Sequence, residues 1–313
     1  MKITNISEET LKYTAPTALA LGFFDGLHQG HCELVRKTIE YAKAKDLKSV
    51  VFTFDKSPKQ VLGQEFLGYI TTQEEKISIL SEMGIDEICY IPFTSEFANL
   101  SKEEFVREYL INKLKGQAVF VGFNFSFGAK KSGNTEFLKQ ELEKLGKECF
   151  VIKPVAVKNQ GTVSSSLIRT AIKDGDIPKA NLLIGREFSF TGKVIHGDHR
   201  ATGMGFPTAN ILLENSEKCL PPNGVYACYG DIAEGTFPAI VNIGYRPTFN
   251  KNTYLLEAHL CGFKGNLYDK EVRVRFLKAI RPEIKFPSMG ALISQIEKDR
   301  QTLFEVIEKT EQN

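Results

Sequence analysis

Two patterns of apolar residues divide this chain. In the first half, short apolar runs alternate with segments whose apolar residues recur every three or four positions. Runs at 17–24, 49–54, 87–91, 118–122 and 148–155 read as strands. Helical spacing falls at 32–45, 72–84, 101–115 and 135–145, with a last pair of short helices beginning at 165. Thr72 with Glu75 and Ser101 with Glu104 make capping boxes, and Gly84, Gly116 and Gly146 supply stops. Such alternation predicts a parallel sheet with helices on both faces. Past residues 181–187 the helices vanish. Runs at 189–195, 208–213, 224–230, 237–243, 255–260 and 271–277 read as short strands separated by Gly, Pro and Asn, and one helix closes the chain at 288–308. Close strand spacing predicts a small antiparallel β-barrel with a C-terminal helix. The expected class is α/β, with one domain over residues 1–184 and a barrel domain over 185–313.

In parallel sheets ligands bind beyond the carboxyl ends of the strands. Three polar turns fall on that rim: Gly22–His31, Gly122–Gly128 and Val163–Arg169. The first carries three glycines, Asp25, His28 and His31 between a strand and a helix. Free N–H groups at that helix start favour an anion, and both imidazoles lie beside it. The turn is therefore a phosphate-site candidate. Other readings stay open on these residues alone. The turn fits a plain tight connection, and the serines fit an N-cap. The two histidines fit a metal pair, although no third ligand at a familiar spacing accompanies them. In the second half the densest stretch is Gly203-Met204-Gly205-Phe206-Pro207-Thr208-Ala209-Asn210, which suits phosphate wrapping and oxygen ligands for Mg²⁺. It equally fits a turn before a strand.

Composition narrows the class. At 313 residues, 42% hydrophobic and 25% charged, the chain is long enough for two cores. A net charge of +2 gives no bulk electrostatic case for nucleic acid or membrane partners. Six scattered cysteines without C-x-x-C spacing read as reduced thiols in a cytoplasmic protein. No signal-peptide pattern opens the sequence, and no apolar run reaches membrane-span length.

Specific motifs then add a resemblance. Gly26-Leu27-His28-Gln29-Gly30-His31 resembles the H-x-G-H signature of the nucleotidyltransferase superfamily, and Ser164-Ser165-Ser166-Leu167-Ile168-Arg169 resembles its later serine–arginine element. Class I aminoacyl-tRNA synthetases share the first signature, but their lysine-rich second motif is missing here. The stretches Leu21–Gly26, Phe52–Asp55 and Gly122–Gly128 are similar to the FMN adenylyltransferase module of bacterial bifunctional riboflavin kinase/FAD synthetases. In the second half, Gly205–Asn210 is similar to the G-F-P-T-A-N signature of riboflavin kinases, with Val194–Asp198, Asn242–Phe249, Leu256–Leu260, Phe263–Tyr268 and Arg281–Phe286 matching around it.

That resemblance implies a Rossmann-like nucleotidyltransferase domain followed by a riboflavin kinase barrel. The chain would phosphorylate riboflavin to FMN and adenylylate FMN to FAD, with ATP as co-substrate and Mg²⁺ as cofactor; FMN and FAD would be substrate and product. In the first module the implied ATP residues are Gly22, Phe24, Asp25, His28, His31, Ser164, Ser165 and Arg169, with Asn124 and Phe54 on the flavin side. In the second, Gly203, Gly205, Pro207, Thr208 and Asn210 would hold ATP, Thr208 and Asn210 would hold the metal, Glu257 would be the base, and Arg281 and Glu283 would lie at the flavin. Leu256, Ala258 and Leu260 alternate with Glu257, which sets its side chain off the packed face. Two departures stand out. Lys56-Ser57-Pro58 replaces a Pro-His-Pro turn, and Arg200–Met204 lacks the usual Arg-Gly-Arg. They leave open a single-activity enzyme with one degenerate module, or a flavin-binding regulator. Oligomeric state is not legible.

Overall fold

A computed structural model describes residues 1–5, 13–157, 160–195, 208–213, 217–245 and 254–312. It divides into two compact units, Met1–Ser165 and Ser166–Asn313.

The first unit is built on strands β1 (Lys2–Asn5), β2 (Thr17–Leu21), β3 (Lys48–Phe54), β4 (Glu87–Ile91), β5 (Gly116–Gly122) and β6 (Glu148–Ile152). They form one parallel sheet in the order β1-β4-β3-β2-β5-β6. Helices α1 (Gln29–Ala44), α2 (Gln73–Met83) and α3 (Thr135–Lys144) connect them. Successive strand residues point to opposite faces. Leu19, Leu21, Val50 and Phe52 accordingly enter one apolar layer, and Ala18, Ala20, Val51 and Ile88 enter the other. α1 buries Leu34, Val35, Thr38, Ile39 and Ala42 against the sheet, the positions expected from helical spacing. Strand order reverses between β2 and β5, so the crevice where ligands of such sheets sit opens beside the ends of these two strands.

Three local features differ from the sequence expectation. β1 was not expected. It is held at its start by buried Glu87, whose carboxylate accepts from the hydroxyls of Thr4 and Tyr13 and from Lys48 Nζ. Burial alone would raise the Glu87 pKa, but these hydrogen bonds outweigh it and lower it. The segment after Ser101 keeps its capping box, but after one turn, Lys102–Glu104, it widens into a π-helical stretch, Phe105–Lys113. Gly116 does not end that helix. Lys115 takes the left-handed conformation (φ 54°), and Gly116 begins β5 where a Cβ would lie 2.8 Å from Leu19 Cδ1 and 2.9 Å from the Leu110 carbonyl.

The second unit takes all but the first residue of α4 (Ser165–Lys173), then α5 (Ile177–Ile184), β7 (Ser189–Ile195), β8 (Ala209–Leu212), β9 (Gly224–Ile232), β10 (Gly235–Tyr245), β11 (Tyr254–Leu260), β12 (Glu271–Pro282) and α6 (Met289–Glu311). The six strands close into an antiparallel barrel in the order β7-β8-β11-β10-β9-β12. The pattern change at 184/185 marks the start of strands, but the division between units falls earlier. α5 is tied to the barrel: the Asn181 side chain donates to the Phe276 carbonyl at 2.7 Å and accepts from the Phe188 N–H at 2.8 Å.

α6 lays Leu303 and Ile307 on an outer patch of the barrel made by Val225, Ala227, Ile240 and Leu277. Leu292 and Ile296, at helical spacing from Leu303 and Ile307, are only half-buried. Between them and Leu303 sits Asp299, 2% exposed. It accepts from Arg281 Nε at 3.0 and 3.1 Å, Arg281 Nη2 at 2.8 Å and Gln295 Nε2 at 2.9 Å. Removing one partner of a buried pair strands the other charge. Asp299→Ala is therefore expected to lower the unfolding free energy by about 3 kcal/mol in urea denaturation followed by a barrel signal.

Candidate active sites

The turn after β2 is forced into an unusual shape. Phe24 (φ 55°), Gly26 (φ 82°) and Leu27 (φ 37°) all take positive φ, a region costly for side chains such as Phe and Leu. Burial of Phe24 and Leu27 and a set of hydrogen bonds hold it. Asp25 is 3% exposed, and its Oδ1 accepts from the N–H groups of Ile70 (2.9 Å) and Thr71 (3.2 Å). The Gly26 N–H donates to Thr71 Oγ1 at 3.0 Å. Thr53 Oγ1 and Lys76 Nζ donate to the Phe23 carbonyl at 3.1 and 2.9 Å. Ser165 Oγ donates to the Asp25 carbonyl at 3.0 Å, which joins the serine turn to the glycine turn.

This shape delivers His28 to the N-cap of α1. Its Nδ1 accepts from the His31 N–H at 3.4 Å, so a neutral ring carries its proton on Nε2, a donor. The His28 and His31 rings stack at 3.7 Å and 15°, and the edge of Phe24 meets His31 at 5.3 Å. Gly30 leaves room for this stack, since a Cβ there would lie 3.3 Å from the His28 ring. The first turn of α1 holds no acidic residue, so no carboxylate opposes an anion at the positive end of the helix dipole. Among the described residues no group of three or more His, Cys, Asp or Glu is placed to hold a metal ion.

The remaining expected residues of this module fall as follows. Asp25 and Phe24 face inward and shape the turn. Gly22 lies under the Phe24 ring, which a Cβ would approach to 3.1 Å. Ser164 is half-buried beside Ser165. Arg169 is a half-buried residue of α4, grouped with the second unit. Asn124 is exposed in the turn after β5. Phe54, at the end of β3, packs edge-on against Phe93 (4.9 Å) and Phe97 (5.2 Å). Ser57, in place of the family's histidine, is buried, and its N–H donates to the Tyr69 hydroxyl at 3.1 Å.

Strand register assembles the kinase residues. Asn210 on β8 pairs with Glu257 on β11, Glu257 with Asn242 on β10, Asn242 with Val225 on β9, and Val225 with Arg281 on β12. Directly paired residues share a face. One row across five strands therefore carries Asn210, Glu257, Asn242 and Arg281 on the outside of the barrel, the side on which α6 packs Val225. Leu256, Ala258 and Leu260 are buried while Glu257 is half-buried, as the alternation implies. Thr208 precedes β8 and is half-buried. Gly203, Gly205 and Pro207, with the altered 200–204 stretch, lie outside the described residues. Arg281, expected at flavin, spends Nε and Nη2 on Asp299 and Nη1 on the Pro282 carbonyl, so its visible work is to pin α6. Glu283 is exposed and accepts from Asn242 Nδ2 at 3.4 Å.

Two residues escaped sequence reasoning. Asn242 was visible only as part of a motif. Lys76 looked like an ordinary helix cation, yet it is 5% exposed, lies over the Phe23 ring at 4.6 Å, and bonds the Phe23 carbonyl. Desolvation pulls its pKa down to about 8, partly countered by Asp25. A base whose native pKa is depressed binds fewer protons folded than unfolded between the two values. Its penalty is full below about pH 8 and fades as pH rises toward 10.5. Relative to Lys76→Met, the natural chain should therefore gain stability over that window, as read by urea denaturation of both proteins at pH 7.5, 9 and 10.5 (roughly the span of the two values).

Comparison with known proteins agrees with both halves. The FAD synthetase family model matches residues 10–167, and the riboflavin kinase model matches residues 184–307. The bifunctional riboflavin kinase/FMN adenylyltransferase of Bacillus subtilis (strain 168) is 36% identical over 293 residues, 92% of this chain and 91% of that protein. The protein of the same name from Escherichia coli (strain K12) is 34% identical over 289 residues, 91% and 90% of the two chains. A crystal structure described as a macrolide-efflux protein from Streptococcus pneumoniae matches with a TM-score of 0.88 and 30% identity, over 97% of this chain and 99% of that one. Among the described residues no helix is long and apolar enough to cross a membrane. Two family matches in this order, each lying on the half whose fold and turns fit it, place the chain in the family of bacterial bifunctional riboflavin kinase/FMN adenylyltransferases.

Proposed function

We propose that the chain makes FAD in two steps at two separate sites. The observation that carries the kinase assignment is the register pair Asn210–Glu257, which sets an oxygen ligand beside a carboxylate on one barrel face. Riboflavin's terminal ribityl hydroxyl attacks the γ-phosphorus of ATP, ADP leaves, and Glu257 accepts the hydroxyl proton. Thr208 and Asn210 would hold a hard cation through hydroxyl and amide oxygens. Mg²⁺ there would neutralise charge on the ATP phosphates. The second step needs no base. The FMN phosphate is already ionised, attacks the α-phosphorus of a second ATP, and expels pyrophosphate. Alignment and charge neutralisation are the whole task.

His28, His31 and the positive end of the α1 dipole suit that task at the ATP phosphates, and the absence of any acid in the first turn supports it. Ser164, Ser165 and Arg169 serve as further phosphate donors, Arg169 through its planar fork. Asn124 and Phe54 bound the flavin side. Gly203, Gly205 and Pro207 belong to the ATP motif of the kinase, and Glu283 to its flavin side. Asp25 acts indirectly, by holding the turn that presents His28. Riboflavin, FMN and ATP are the partners, in the cytoplasm.

Separate sites make separable losses. His28→Ala with His31→Ala should cut FAD formation from FMN by roughly 100-fold or more and leave FMN formation within about twofold. Glu257→Gln should do the reverse, cutting riboflavin phosphorylation by roughly 100-fold. Chromatography of flavin products from riboflavin or FMN alone reads both. Loss of both activities from either folded variant would contradict the two-site account.

A further inference from the structure

The row Asn210–Glu257–Asn242 has a direction. If Asn210 marks the nucleotide side of the base, Asn242 stands on the opposite side of Glu257, one strand further along the barrel. That is where an alcohol attacking the nucleotide must enter, because nucleophile and leaving group lie roughly in line.

Asn242 has a defined orientation. An ionised carboxylate only accepts hydrogen bonds, so the amide edge facing Glu283 Oε1 at 3.4 Å must be Nδ2. Gly244 makes that contact possible, since a Cβ at 244 would lie 2.8 Å from Glu283 Oε1. The amide oxygen is thereby turned away from Glu283. Oδ1 is buried, and no described group donates to it. A buried amide acceptor left without a donor costs free energy comparable to a lost hydrogen bond, and a substrate donor would recover it.

Asn242 Oδ1 and the Glu257 carboxylate are acceptors on directly paired residues, whose Cβ atoms stand about 5 Å apart. Two acceptors side by side call for two donors side by side. Neighbouring hydroxyls of a polyol chain supply them: one gives its proton to Glu257, and one farther along the chain donates to Asn242.

We infer that Asn242 is a substrate-binding residue of the kinase site, its Oδ1 accepting a hydrogen bond from an interior hydroxyl of the ribityl chain. This inference rests on the riboflavin kinase reading of the barrel. Asn242 fixes where the polyol lies, and Glu283 fixes Asn242.

Steady-state kinetics with Asn242→Ala test it. The KM for riboflavin should rise roughly tenfold, as for a lost buried hydrogen bond. The KM for ATP and the rate of FAD formation from FMN should stay unchanged. Flavins lacking single interior ribityl hydroxyls provide the second arm. One of them should bind the natural enzyme about tenfold more weakly than riboflavin, and Asn242→Ala should not distinguish the two. An unchanged riboflavin KM, or a rise in the ATP KM alone, would overturn the inference. Should the alanine variant not fold, equal KM values for all the deoxy flavins on the natural enzyme would overturn it equally. If the natural enzyme forms no FMN at all, the kinase reading falls with it, and that result is distinguishable from the others.

Discussion

A buried carboxylate holds the first module's turn in place. Asp25 Oδ1 binds the N–H groups of Ile70 and Thr71, and through them a segment far away in sequence fixes a backbone that would otherwise relax. With Phe24 and Leu27 at positive φ, the turn is strained, and such strain persists only where the surroundings over-determine it. Here Thr71, Thr53, Lys76 and Ser165 bond peptide groups of Phe23, Asp25 and Gly26, while the Asp25 side chain ties the turn to Ile70 and Thr71. What the strain achieves is specific. It sets His28 at the N-cap of α1 and stacks it on His31, at the positive end of the helix dipole. Rigidity of this kind matters most for a reaction whose catalysis is alignment.

The barrel solves its problem differently. Its site is set by register, not by strain. Once β8, β11, β10, β9 and β12 pair as they do, Asn210, Glu257, Asn242 and Arg281 fall in line, and a one-residue slip would turn each to the other face. α6 covers part of the same outer surface, so the Arg281–Asp299 pair couples the C-terminal helix to the strand that ends beside Glu283.

Local signals were read well from sequence, and distant ones were not. The capping boxes at Thr72 and Ser101, the left-handed Gly84 and the buried face of α1 depend on neighbours within a few residues, and the chain spells them out. The β1 edge strand is four residues long and carries no pattern of its own; Glu87 and the register with β4 hold it. The π-helical widening after Glu104 has no signal in capping or periodicity. The bonds of Asp25 to Ile70 and Thr71 are not legible, because those partners lie 45 and 46 positions away. Lys76 was overlooked because a lysine on a helix is ordinarily solvated, and only the fold buries it. Arg281 was assigned to flavin by motif, while its engagement with Asp299 emerges only when α6 is folded onto the barrel.

The central claim is that one chain carries riboflavin through to FAD. The direct measurement is a time course of riboflavin with ATP and Mg²⁺, with flavins and nucleotides separated by chromatography. The account predicts that FMN appears first with ADP, and that FAD follows with pyrophosphate as FMN is consumed. Tight riboflavin binding with no ATP consumed, or FMN accumulating with no FAD, would contradict it.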